Sequence, residues 1–196
     1  MPHQVPKAPD RVGSDPPDRD MAPRWAEALL SFVQRYPGVY LRELVRRLEI
    51  PMGTLHYHLQ RQVASGLVES REVGGHLCLY PCRPPVGRAP PTESEKNSLA
   101  MLRLRIPRMI MLRLMDGGPC AGARLVDDLS VSPSHLSYYL ERLEKLGIVC
   151  RDAETAGHRR VRLVSPDSVR GLLLAYPPLR EGPGDKWLDL WEGLRL

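Results

Sequence analysis

The chain has 196 residues, 42% of them hydrophobic and 26% charged, with a formal net charge of +5. That balance suits a globular protein with room for one large domain or two small ones, and no apolar run is long enough to span a bilayer. Four cysteines, Cys78, Cys82, Cys120 and Cys150, match neither a zinc-knuckle spacing nor the disulfide framework of a small secreted protein. The basic excess is not a polycationic tail. Residues 83–108 hold six basic and two acidic groups, and the other blocks are nearly balanced. An anionic polymer must therefore be bound through a patterned face rather than bulk charge.

Residues 1–23 are rich in Pro, Asp and Gly, with hardly an apolar anchor, and are expected to be disordered. They contain no secretory-type apolar segment, so a cytoplasmic location is expected. A first unit spans 24–82. WAEALLSFVQRY places Trp25, Leu29, Phe32, Val33 and Tyr36 on one helix face. Pro37-Gly38 is a turn, and LRELVRRL is a second short helix. IPMG then breaks that helix and starts a third, which runs to Ser65 and stops at Gly66, a suitable left-handed C-cap residue. LVESREVGGHLCLYP reads as two strands joined at Gly74-Gly75.

RPPVGRAPPTESEK, residues 83–96, reads as a stiff Pro-rich linker. The second unit, 97–165, has MIMLRLM on its first helix and ARLVDDL on its second. Its third helix begins with Ser132 at the N-cap and Pro133 at N1, and IVCRDAETAGHRRVRLV is a longer hairpin. Residues 166–196 contain two short amphipathic helices. Leu172 and Tyr176 lie on the apolar face of one, and Trp187, Leu190 and Trp191 on that of the other. Such terminal helices pack on a partner subunit or fold back on the second unit. A homodimer through these five residues is the expectation.

The two units are related. At an offset of 81 residues, LVRRLEIPMGTLHYHLQRQVASGLV (44–68) aligns without gaps with LVDDLSVSPSHLSYYLERLEKLGIV (125–149), with nine identities in phase with the apolar pattern. Helix, helix, helix and β-hairpin, used twice, gives a mainly α fold with small β-hairpin wings: two tandem winged helix-turn-helix domains plus C-terminal helices. The PG turn, LREL, the GTLHYHL helix, the GLV strand entry and the Tyr-Pro wing end resemble ArsR/MarR-type winged-helix transcriptional regulators, most of all the tandem regulators common in archaea. The resemblance covers roughly 25–164. It implies a regulator that reads double-stranded DNA with its third helices and wings, and it leaves the operator and any small-molecule effector unspecified.

At 100° per residue, Leu55, Leu59 and Val63 mark the core side of the third helix. Gly53, Tyr57 and Gln60 point away, Thr54, His56 and Arg61 flank that face, and His58 sits on the shoulder of the core. The i, i+2 spacing of His56 and His58 does not suit a metal pair. His58 is expected to be a hydrogen-bonded, partly buried anchor. The outward set suits DNA: Gly53 permits close backbone approach, Gln60 fits an adenine edge, and Thr54, His56, Tyr57 and Arg61 fit bases or phosphates. A merely solvated face is the plainer reading of such a pattern. Gln62 falls on the core side, where either a buried hydrogen-bond partner or a rotation bringing Val63 inward is needed.

Charge separates the two units. Arg46-Arg47 stand where the second unit has Asp127-Asp128, and Arg71 lies on the first wing. The second unit offers Ser134, Ser137, Tyr138 and Arg142 on its third helix and Arg159-Arg160 on its wing. The first unit is thus expected to read the major groove and the second to grip backbone, to dimerise, or both. His76, Cys78 and Cys82 lie close in sequence, but their spacing suits packed thiols better than one metal ion. No cofactor, metal or catalytic constellation is expected: there is no Gly-rich phosphate loop, G-x-S-x-G or H-E-x-x-H. A protein-docking module and a sequence-neutral architectural DNA binder are the rival readings.

Overall fold

The computed structural model describes residues 21–83, 89–152, 159–176 and 179. Helix α1 (Met21–Arg35) fully buries Leu29 and Val33, with Trp25, Phe32 and Tyr36 beside them, so the face set by the 3.6-residue period is the one used. Residues 21–23, expected in the leading disordered segment, belong to this helix; 1–20 lie outside the described residues. There follow β1 (Val39–Tyr40), α2 (Leu41–Leu48), α3 (Met52–Ala64), β2 (Val68–Val73) and β3 (His76–Pro81). After α4 (Glu93–Leu102) the same order returns: α5 (Arg105–Gly117), β4 (Cys120–Ala121), α6 (Gly122–Leu129), α7 (Pro133–Lys145), β5 (Val149–Arg151) and β6 (Arg160–Leu163). Helix α8 (Pro166–Ala175) ends the described elements.

The chain is mainly helical with small antiparallel hairpins, as the α+β winged-helix class requires. Each hairpin gains a third, two-residue strand, giving sheets ordered β1-β3-β2 and β4-β6-β5. Strands so short carry no alternation, which is why the sequence did not announce them. The local signals act as the residue types dictate. Gly66 and Gly147, both at positive φ, close the same pair of bonds at the ends of α3 and α7: Gly66 N donates to Val63 O and Leu67 N to Gln62 O, and Gly147 N to Glu144 O and Ile148 N to Leu143 O. Ser132 Oγ accepts from His135 N at the start of α7. Val73 pairs with His76 across Gly74 and Gly75, a two-residue turn with both φ positive.

The expected linker is shorter than 83–96. Thr92 and Glu95 form a reciprocal capping box, Glu95 N donating to Thr92 Oγ1 and Thr92 N to Glu95 Oε2, so residues 93–96 are the first turn of α4. Every residue from Ser98 to Arg103 is buried, the signature of a helix enclosed on all sides. On one side α4 meets the first sheet. Tyr80 donates to Lys96 O at 2.8 Å, Lys96 pairs with Glu69 at 2.7 Å, and Arg71 pairs with Glu93. Val73, Cys78 and Tyr80 thereby join the core that holds α5 to α8, while Val68 and Leu79 pack under α1 to α3. One face of the first sheet is thus covered by the following helices and the inner part of the other by α1 to α3, with Ser70, Glu72 and Leu77 left exposed.

Two stretches of backbone come close at the Pro37-Gly38 turn. Gly38 sits at φ +81°, and a Cβ there would lie 2.7 Å from Ala100 N and 2.8 Å from Leu99 C. Arg103, 3% exposed, donates from Nε to Pro37 O at 3.0 Å and lies over the Tyr36 ring. Burial, and then the charge of Arg108, pull its pKa down to about 10, which still leaves it a cation at neutral pH. The C-terminal face differs from expectation. Leu172 and Tyr176, assigned to a dimer contact, are buried with Val169 and Leu173 against this chain's own α4 and α5. Their apolar surface is already spent intramolecularly. Trp187, Leu190 and Trp191 lie outside the described residues.

Gly38→Ala should destabilise the protein by more than about 2 kcal/mol in denaturant unfolding, because both φ and the backbone of α4 oppose a methyl group. Gly122→Ala, whose Cβ would meet nothing within 4 Å, should shift stability by less than about 0.5 kcal/mol.

Candidate nucleic-acid interface

Helix α3 buries Leu55, His58, Leu59 and Gln62. Its core face is turned from the expected one, toward His58 and Gln62, and Val63 is 39% exposed. Of the two arrangements open to Gln62 the first holds: its Nε2 donates to the backbone carbonyl of Ala26 on α1. His58 is buried, but its Nε2 makes no hydrogen bond among the described residues. It packs edge-on to Tyr57 at 5.2 Å. Burial, and then the charge of Arg61, lower its pKa, so it stays neutral and acts by packing rather than as the hydrogen-bonded anchor expected.

The opposite face is open. Gly53, His56, Tyr57, Gln60 and Arg61 are exposed and Thr54 is half-buried. Arg61 donates to Tyr57 Oη at 3.0 Å with its guanidinium 5.6 Å from the ring. The equivalent pair on α7, Arg142 on Tyr138, repeats this with the guanidinium 4.9 Å from the ring. Each pair holds a cation at a fixed place on an otherwise mobile stem. Ser134, Ser137 and Tyr138 are exposed, whereas Arg142 is half-buried beside the Gly74-Gly75 turn.

Arg46 and Arg47 are not independent cations. Arg46 donates to both oxygens of Glu43, at 3.1 and 2.6 Å, and Arg47 to Oε1 at 2.7 Å. Glu43 is 4% exposed. Burial pushes its pKa up, but the hydrogen bonds from Arg46 and Arg47 and their charges outweigh that and hold it below the ordinary value. The E-x-x-R-R spacing at i, i+3 and i+4 was visible in the sequence, yet the buried carboxylate was missed there. The second unit inverts the set: Arg124, Asp127 and Asp128 occupy the equivalent positions, and Asp128 binds Arg113 at 2.6 Å and Arg124 at 3.7 Å. One triad is a carboxylate between two guanidiniums. The other carries two carboxylates and one guanidinium, with Asp128 also tied to Arg113.

The wings also diverge. Arg71, expected on DNA, faces α4 and is neutralised by Glu93. The face of sheet one that carries Arg71 is covered by α4, while Ser70, Glu72 and Leu77 at the wing end of the other face are exposed. On the second wing Arg159 and Arg160 are exposed, Arg160 donating to Pro119 O at 2.8 Å, and Arg162 pairs with Asp152 at 2.7 Å. Cys78 is buried and its thiol is pushed up to about 12 by desolvation, while Cys82 is exposed rather than packed beneath the wing.

Glu43→Gln should lower stability at neutral pH by about 1–3 kcal/mol through its charged hydrogen bonds. Because the folded pKa is lowered, Glu43 contributes stability above its unfolded pKa and loses it as pH falls through the folded one. The variant should accordingly show a flatter decline in stability on acidification, read by urea unfolding at stepped pH.

Comparison with known proteins finds similarity to helix-turn-helix regulators. Residues 108–150, from α5 to the start of β5, match the family described as bacterial regulatory protein, arsR family. A curated relative, an uncharacterized HTH-type transcriptional regulator of Methanocaldococcus jannaschii, is 28% identical over 123 residues, which is 62% of this chain and 29% of the relative. The match thus spans under a third of the relative's length. Both likenesses are to helix-turn-helix regulators, and the segment that matches the arsR family lies within the second set of elements.

Proposed function

We propose that the chain is a DNA-binding transcriptional regulator built from tandem winged-helix units, 24–82 and 97–165, that contact duplex DNA through α3, α7 and the second wing. The observation that carries this reading is the division of α3. Four of its side chains are sealed into the core, while Gly53, His56, Tyr57, Gln60 and Arg61 are left together in solvent. A polar, aromatic and cationic set at the start of a helix, with Gly53 admitting close approach, fits a major groove.

The first unit reads bases and the second grips backbone. The charge inversion supports this division, since the Glu43–Arg46–Arg47 set leaves one net positive charge beside α3 and the Asp127–Asp128 set does not. The exposed Arg159 and Arg160 give the second unit its own phosphate contacts. A homodimer would suit a palindromic site. Its contacts would come from surfaces other than Leu172 and Tyr176, and sedimentation of a monomer at tens of micromolar would remove it.

Selection of bound sequences from a random duplex pool, followed by gel shifts, tests the reading. Gln60→Ala should cost about 1–3 kcal/mol on the selected site and little on random duplex. Arg159→Ala with Arg160→Ala should weaken all duplexes alike and reduce the slope of log K against log salt by about 1.8. No duplex binding at low salt would replace the proposal with a protein-docking role, and equal affinity for every duplex with an architectural one.

A further inference from the structure

Helix α3 is held in a rotation that its own side chains do not favour. Two sets of residues could form its core face. Leu55 and Leu59 belong to both; one set adds His58 and Gln62, the other Val63. At 100° per residue the centres of the two sets lie roughly 50° apart around the helix. Burial of apolar surface favours the second set, which would close Val63 and open the polar pair. The structure holds the first: His58 is 4% exposed and Gln62 6%, while Val63 is 39% exposed. That rotation leaves His58 Nε2 and Gln62 Oε1 buried without hydrogen-bond partners among the described residues, a state that folded proteins mostly avoid.

One bond opposes this cost. Gln62 Nε2 donates to the carbonyl of Ala26, which lies within α1 and moves only with that helix. Among the described residues no other side chain of α3 hydrogen-bonds outside the helix, and Arg61 reaches only Tyr57 within it. Apolar contact is non-directional and tolerates rotation, whereas a hydrogen bond to a fixed acceptor does not. On α7 the equivalent of Gln62 is Leu143, fully buried, and the equivalent of Val63 is Glu144, exposed. Burial alone therefore fixes the rotation of α7, and α3 differs in needing a polar tie.

We propose that Gln62 is a positioning residue: its bond to Ala26 holds α3 in the rotation that turns Gly53, Tyr57 and Gln60 outward, and so fixes the duplex sequence that α3 prefers. The sequence preference rests on the DNA-binding reading, and the rotation does not. Side chains end about 5–6 Å from a helix axis, so the full rotation between the two sets carries Gln60 by about 5 Å. A fifth of it, about 1 Å, exceeds what a hydrogen bond to a base edge tolerates.

Maleimide labelling of Val63→Cys in the full chain tests the rotation, read at residue 63 by peptide mass spectrometry so that the exposed Cys82 does not interfere. Labelling should be rapid with Gln62 in place and about tenfold slower or more when Gln62→Ala is added. It should be rapid again with Gln62→Leu, because leucine closes the position by burial as Leu143 does. Mere loosening of the fold has the opposite sign, since opening speeds labelling. Without the cysteine, Gln62→Ala should lower the ratio of affinities for selected and random duplex about tenfold, and Gln62→Leu should restore it. Labelling that is unchanged or faster with Gln62→Ala, or equally slow with Gln62→Leu, overturns the proposal. Slower labelling with an unchanged affinity ratio overturns the role in sequence preference alone. A wild type that selects no sequence overturns that role together with the DNA-binding reading, and the labelling still decides the rotation.

Discussion

The contact between α4 and the Pro37-Gly38 turn is the constraint on which the rest of the molecule depends. The C-terminal half of α4, buried from Ser98 onward, needs a partner surface on every side, and the first sheet and its flanking turn supply part of it. Gly38 permits the approach because it has no Cβ, and Arg103 secures it from inside the interface by reaching the Pro37 carbonyl. A buried guanidinium is costly unless its hydrogen bonds are met, so this geometry resists sliding as well as separation. The first sheet and the helices after it therefore share one core.

That junction decides which surfaces remain for a partner. Sheet one is pressed against α4 on the face that carries Arg71, which pairs with Glu93. Sheet two keeps its outer residues in solvent, including Arg159 and Arg160. The two sets of elements thus differ: the first carries the Glu43–Arg46–Arg47 set on α2 and the second an open wing, while α3 and α7 both keep an exposed polar face. The same docking draws Arg142 from α7 to the tip of the first wing, where it changes from a surface cation into part of a junction.

Much of the local structure was legible because it rests on short-range rules. Glycine at a left-handed cap, serine before proline at a helix start, and a glycine pair between strands act within a few residues, and each appears where its type dictates. The capping box at Thr92 was equally local but was hidden by the prolines before it, which made a helix start look like linker. The roles of α3 were legible only in part. Its outward face followed from helical period, while the inward turn toward Gln62 depended on a carbonyl of α1 thirty-six residues away, which no local pattern reports.

By itself, the sequence carried the 81-residue offset and the outward placement of Gly53, Tyr57 and Gln60 on α3, because period and offset are properties of the chain alone. Only the tertiary structure decided that Arg46 and Arg47 share one buried carboxylate, that Arg71 is neutralised, and that Leu172 and Tyr176 serve the chain's own core. The reason is physical. A side chain's charge and apolarity are written in its identity, but whether they are free for a partner depends on what the fold brings within a few ångströms. In GTLHYHLQRQVASGLV the sequence separated the two histidines by face, and the fold then left one in solvent and closed the other into the core.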